Sequence, residues 1–134
     1  GLLALERAPL PPAKTEWRVG LARDRLTSTD PWLQHKTTRR GVYDAARASL
    51  AEGLDEVIFL NERGEVCEGT ISTVFFDKGR GMRTPPLTCG VLPGVLRAEM
   101  AVGEEVLLAE DLPKTRLWLG NALRGLIPAR FCQP

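Results

Sequence analysis

The chain lacks any strong charge imbalance. Across 134 residues, 18 Lys and Arg face 17 Asp and Glu, a formal net charge of +1, so no nonspecific attraction to nucleic acid or acidic membranes is built in. No apolar run approaches the roughly 20 residues that carry a helix across a bilayer. The three cysteines, Cys67, Cys89 and Cys132, are far apart and form no C-x-x-C pair. That argues against a zinc site and a disulfide framework, and for a reducing cytosol. The only histidine, His35, has neither a nucleophile pattern nor metal-ligand spacing around it, and reads as a local hydrogen-bonding residue. The only tyrosine, Tyr43, reads as a core residue, and Trp17, Trp32 and Trp118 as packing. Lysine is scarce, with Lys14, Lys36, Lys78 and Lys114 against 14 arginines, a bias that coding preference explains. The opening GLLALERAPLPP is apolar but carries Glu6 and Arg7 and no basic leader, which does not fit a signal peptide. No repeat or low-complexity tract is present.

What is there fits one ordinary domain spanning residues 1–134, with 43% hydrophobic and 26% charged residues. Residues 2–7 read as a short strand, broken by Pro9, Pro11 and Pro12. WRVGLA (17–22) reads as a strand, and Asp30-Pro31 punctuates the chain before Lys36. Val42, Ala45, Ala46, Leu50 and Ala51 share or adjoin one face of a helix from about Arg40 to Glu52, stopped at Gly53. EVIFL and EVCEG flank Asn61-Glu62-Arg63-Gly64 as a hairpin, and STVFF and MRT flank Asp77–Gly81 as a second. Pro93-Gly94 opens a helix through about Ala101. EEVLLA (104–109) reads as a strand, DLPKT as a capped turn, RLWLG (116–120) as a buried strand and ARF (129–131) as a last short one. The fold class expected is a mixed α+β domain of strand hairpins with two or three helices.

Four segments carry the chemistry: HKTTRR at 35–40, VCEGTISTVF at 66–75, CGVLPGVLR at 89–97 and LGNALRG at 119–125. Lys36 can form an imine only if part of it is neutral, which requires burial or cationic neighbours. Arg39 and Arg40 supply the charge, and Trp32 and Leu33 the cover. Most lysines, however, are solvated surface groups. Glu68, if it points inward, must be paired, because an isolated buried carboxylate is expensive; a pyridinium N–H would be such a partner. A lone Glu on the solvent face of a hairpin is the commoner case. Backbone N–H groups at a glycine-containing helix start suit an anion, yet one glycine before a helix is usually a turn. Gly120-Asn121-Ala122 offers a second small-residue turn, and it too is usually a strand exit.

Taken together and in this order, HKTT-R-R-x-x-Y-D-A-A-R, NERGEVCEGTISTVFF and TPPLTCGVLPGVLRAE resemble the class IV aminotransferase family, pyridoxal-phosphate enzymes of fold type IV. The likeness runs from about Arg18 to Phe131 and is nearest to the aminodeoxychorismate-cleaving lyases. It implies pyridoxal 5'-phosphate as cofactor, with Lys36 as the imine-forming lysine and general base and Glu68 as partner of the pyridine nitrogen. Backbone groups of Val95 and Leu96 would hold the phosphate with Asn121 at the second turn, Leu92 and Ile71 would lie against the two ring faces, and Arg40 would contact a phosphate or substrate carboxylate.

The implied activity is release of pyruvate and 4-aminobenzoate in folate biosynthesis, by a cytoplasmic homodimer acting on a small molecule, with a 4-aminobenzoate synthase component as possible partner. The alternatives are an aminotransferase for D- or branched-chain amino acids and a noncatalytic dimerising domain. Three residues depart from the family pattern: Thr73 stands where many members have Asn, Leu96 replaces a frequent Thr, and Gly41 stands where many aminotransferases have Tyr. The small N-terminal domain of the family is expected to be absent from these residues.

Overall fold

The computed structural model describes residues 15–29 and 41–132. The strands are β1 (Trp17–Leu21), β2 (Glu56–Leu60), β3 (Val66–Gly69), β4 (Thr73–Asp77), β5 (Arg83–Thr84), β6 (Gly103–Glu104), β7 (Arg116–Asn121) and β8 (Gly125–Phe131). The α-helices are α1 (Gly41–Ala48), between β1 and β2, and α2 (Val95–Met100), between β5 and β6. Two 3-10 segments, Leu87–Cys89 and Ala109–Lys114, complete the set. The mixed α+β class and both hairpins are as the sequence predicts. The expected strand at 2–7 lies outside the described residues.

The sheet runs β3-β2-β1-β8-β7-β4-β5-β6, and β3 also pairs with β4. Six strands therefore close into a ring, with β5 and β6 continuing from β4. β1 is parallel to both β2 and β8. A parallel pair needs a crossover rather than a hairpin, and α1 lies in the one between β1 and β2. Every ring strand feeds one apolar cluster that includes Val19, Ile58, Val66, Phe76, Leu119 and Ile127, as expected for a small closed sheet filled by side chains. A second cluster, Leu26, Tyr43, Phe59, Cys67, Cys89 and Val91, lies between β2, β3 and α1. All five residues of β2 are buried, because one side of the strand packs into each cluster. That explains why EVIFL is an unbroken apolar run after its glutamate.

The β4–β5 hairpin turn owes its shape to the residues the sequence supplies. In the β4–β5 turn, Asp77 Oδ1 accepts N–H bonds from Gly79 at 2.6 Å and Gly81 at 3.2 Å. Both glycines have positive φ, 112° and 96°, a region that side chains disfavour. The Gly79 N–H, foremost, holds the Asp77 carboxyl below its ordinary range.

Three stretches differ from expectation. α1 stops at Ala48, where the Ser49 hydroxyl bonds back to Ala45 O at 2.8 Å; such back-bonding competes with helix continuation. Of the expected 104–109 strand only Glu104 falls in a paired strand, Gly103–Glu104. Beyond it, the backbone crosses the β2–β3 hairpin, with Val66 N–H bonded to Leu107 O at 2.7 Å. Leu107 and then Leu112, within the 3-10 segment that replaces the expected turn, drop into the core. β8 begins four residues before the expected ARF strand. Pro128 is tolerated because it stands just before the stretch, Ala129–Phe131, that pairs with β1. Among the described residues, no helix is long and apolar enough to cross a membrane.

Candidate active site

A cavity of about 360 Å³ lies among the β3–β4 turn, the β7–β8 turn, the start of α2 and the first turn of α1. That size falls within the roughly 300–1,000 Å³ of small-molecule sites. Glu68, Ile71, Leu92, Val95, Leu96 and Asn121 all line it. The structure thus gathers six of the eight residues singled out from the sequence, from segments up to 53 positions apart. The other two, Lys36 and Arg40, lie outside the described residues, as does His35. The described chain re-enters at Gly41, and Tyr43 in the first turn of α1 already lines the cavity.

Glu68 is buried at 5% exposure, which removes the solvent-face alternative. Its carboxylate is held from two sides: the Tyr43 hydroxyl donates to Oε2 at 2.7 Å, and the Leu92 N–H to Oε1 at 3.2 Å. Tyr43 is fixed in turn by an edge-to-face contact with Phe59, 5.1 Å between ring centroids. Tyr43 is a core residue, as the sequence suggests, but its hydroxyl serves the site. Nothing in the sequence alone points from position 43 to position 68.

Two residues beyond Leu92, Gly94 caps α2 with extended backbone and no side-chain cap. The N–H groups of the first helical turn have no carbonyl within the helix to bond, so Val95 and Leu96 present such donors at the cavity. A Cβ on Gly94 would come within 3.4 Å of Thr73 Oγ1, so Thr73 packs against this loop. Gly120 is more constrained: a Cβ there would stand 2.5 Å from Gly125 O and 2.7 Å from Leu96 Cδ2. The β7–β8 hairpin therefore presses directly on α2. Asn121 ties the two turns at the rim, its Nδ2 donating to Ile71 O at 2.9 Å and its Oδ1 accepting from Arg124 N–H at 2.8 Å.

Glu56 escaped the sequence reading. It is fully buried at the start of β2, and its carboxylate accepts hydrogen bonds from the Thr70 hydroxyl at 2.6 Å, the Ser72 hydroxyl at 2.9 Å and the Ile71 N–H at 3.2 Å. The available signal was an acidic residue opening an otherwise apolar strand, EVIFL.

Behind the cavity, burial pushes the Cys67 thiol well above its ordinary range and the Cys89 thiol up to about 12. A thiol that stays protonated is a poor nucleophile, so neither supplies covalent chemistry. Among the described residues, no group of three His, Cys, Asp or Glu side chains is placed to hold a metal. What remains is a buried, hydrogen-bonded carboxylate, apolar side chains, and small-residue turns with backbone donors, all lining one cavity. That set fits a flat heteroaromatic ring with a basic nitrogen at one end and an anionic group at the other.

The class of protein that this fold and site define agrees with the comparisons. The profile of the family described as "Amino-transferase class IV" matches residues 2–132, and the chain belongs to that family, whose members are pyridoxal-phosphate enzymes. More particularly, it is 39% identical over 87 residues to the aminodeoxychorismate lyase of Bacillus subtilis, covering 54% of this chain and 28% of that protein. It is 34% identical over 113 residues to a Thermotoga maritima protein provisionally named a branched-chain-amino-acid aminotransferase, covering 77% of this chain and 40% of that one. A crystal structure from Mesorhizobium loti, provisionally described as an amino-acid aminotransferase, superposes with a TM-score of 0.84 at 48% identity, covering 93% of this chain and 63% of that one. The chain therefore spans less than half the length of either curated relative.

Proposed function

We propose that this chain is the cofactor-binding domain of an aminodeoxychorismate lyase, releasing pyruvate and 4-aminobenzoate for folate synthesis in the cytoplasm. The observation that carries the reading is Glu68: a buried carboxylate, held by Tyr43 and Leu92, that lines the same cavity as the start of α2. Pyridoxal phosphate, when bound, supplies an electron sink for the carbon bearing the substrate amine.

The chain's own residues bind and orient it. Glu68 would accept the ring N–H and keep the ring protonated. Leu92 and Ile71 would cover its faces. The N–H groups of Val95 and Leu96 would receive the phosphate, with Asn121 at the adjoining turn and Arg40 adding positive charge. Lys36 would hold the cofactor, and its amine would take the proton from the amine-bearing carbon of the substrate and return one to the departing enolpyruvyl group as pyruvate forms. Aromatisation of the product supplies much of the driving force, so orientation and proton handling are the main demands on the protein. Gly41 favours this reading over transamination, because it stands where many aminotransferases carry tyrosine. The working unit is a homodimer, with a 4-aminobenzoate synthase component as its supplier of substrate.

A second reading, transamination of branched-chain or D-amino acids, is favoured by the longer match to the Thermotoga maritima protein. Pyridoxal phosphate added to purified protein is expected to give a visible absorbance band. Borohydride should then fix the pyridoxyl mass on the peptide holding Lys36, and Lys36→Ala should lose both signals. Pyruvate release from aminodeoxychorismate supports the lyase, and amino transfer to 2-oxoglutarate the second reading. Absence of band and adduct in the wild type leaves a noncatalytic dimerising domain.

A further inference from the structure

We propose that Glu56 is a positioning residue for this cavity: from behind, it clamps the Gly69–Ser72 turn that sets Glu68 and forms one wall. Its functional consequence rests on the cofactor reading above; the clamp itself does not.

Glu56 is not among the residues lining the cavity, so it acts through others. Three consecutive residues of one turn donate to its carboxylate: Thr70 to Oε1, and Ile71 and Ser72 to Oε2. The remaining donors come from the scaffold. The Val57 N–H reaches Oε1 at 3.1 Å, and Arg47 on α1 reaches the same oxygen at 3.4 Å. The carboxylate thus joins α1 and β2 to the turn. Gly69, directly after Glu68, lets it come this close: a Cβ there would stand 2.4 Å from Ser72 Oγ and 2.6 Å from Glu56 Oε2. The turn's own closure is slight by comparison, a Gly69 N–H to Ser72 O bond of 2.9 Å. A core that needed only apolar filling would not spend a buried carboxylate here. The residues it holds, Thr70, Ile71 and Ser72, all line the cavity, as does Gly69 beside them.

Glu56→Gln replaces one acceptor oxygen by an N–H₂ group and leaves the side chain's volume nearly unchanged. In the cofactor-free full chain, amide hydrogen exchange at 69–73 is expected to quicken about tenfold, the scale of one lost hydrogen bond, with the β7–β8 ladder unchanged. Pyridoxal phosphate, titrated by visible absorbance, is expected to bind about tenfold more weakly by the same measure. Ser72→Ala, which removes one donor from the turn side, should move both readouts in the same direction by less. If Glu56→Gln fails to fold, Thr70→Val combined with Ser72→Ala carries the full expectation. Exchange that quickens evenly across the sheet, or stays at wild-type rates at 69–73 in the variants that fold, overturns the clamp. Localised exchange in a chain whose wild type binds no pyridoxal phosphate upholds the clamp and removes the cofactor reading instead.

Discussion

The two buried clusters are built from neighbouring strands yet differ in kind. The larger, inside the strand ring, consists of apolar side chains such as Ile58, Val74, Phe76 and Leu119. The smaller, under α1, mixes Leu26, Phe59 and Val91 with Tyr43, Cys67 and Cys89. Its polar atoms are all engaged: Tyr43 with Glu68, Cys67 Sγ with Cys89 O at 3.3 Å, and Cys89 Sγ with Glu65 Oε1 at 3.5 Å. The difference teaches where specificity resides. Apolar packing is nondirectional and fixes the ring, whereas hydrogen bonds fix the angle at which each group meets the cavity.

Substitutions can separate the two regions. The largest expected effect is on the polar side. On the proposed reading, Glu68→Gln should lower pyruvate release from aminodeoxychorismate by roughly 10²–10³-fold per folded molecule, the scale of losing one preorganised electrostatic partner, a far larger effect than the drop in melting temperature from weakening the Tyr43 and Leu92 bonds. A comparable fall in stability with intact catalysis per folded molecule would reverse the assignment of Glu68. On the apolar side, Phe76→Ala should destabilise the fold by about 3–5 kcal/mol, read by urea denaturation, without altering the affinity of the remaining folded protein for pyridoxal phosphate.

Tyr43→Phe sits between the two regions. It keeps the ring packed on Phe59 and deletes the bond to Glu68, so a loss of about 1.5–3 kcal/mol is expected, as for hydrogen bonds to charged groups. A loss near zero would mean that Tyr43 contributes through packing alone.

The smallest effect concerns an exposed site remote from either cluster. The Ser28 hydroxyl and N–H hold Glu62 at a pKa of about 2 against an ordinary 4.5. A depressed carboxyl pKa contributes stability that is present above the unfolded-state value and lost as pH falls through the folded one. Acid denaturation of Ser28→Ala should therefore be slightly less steep between pH 4.5 and about 2, with no difference at neutral pH in the slope of stability against pH.

Both hairpins were legible from Asn61–Gly64 and Asp77–Gly81, because turn chemistry is local and glycine at positive φ leaves few alternatives. Glu68, Ile71, Leu92, Val95, Leu96 and Asn121 are ambiguous one at a time, and the resemblance of four ordered segments was what joined them. The bond between Tyr43 and Glu68 was not legible, since it depends on how α1 lies against β2. Glu56 was missed for a related reason: strand periodicity does not reveal which turn a buried acid will face. The 104–109 stretch misled because an apolar run that crosses a hairpin once has the same composition as one that pairs along it.

The contrast among the three thiols has a practical consequence. Cys67 and Cys89 are sealed and held protonated, whereas Cys132 is partly exposed, and its backbone N–H closes onto Val19 O at 2.7 Å. A maleimide dye should therefore attach at one place on the native chain without prior mutagenesis, directly on the seam where β1 meets β8. Fluorescence from that position would report opening of the ring independently of anything happening in the cavity.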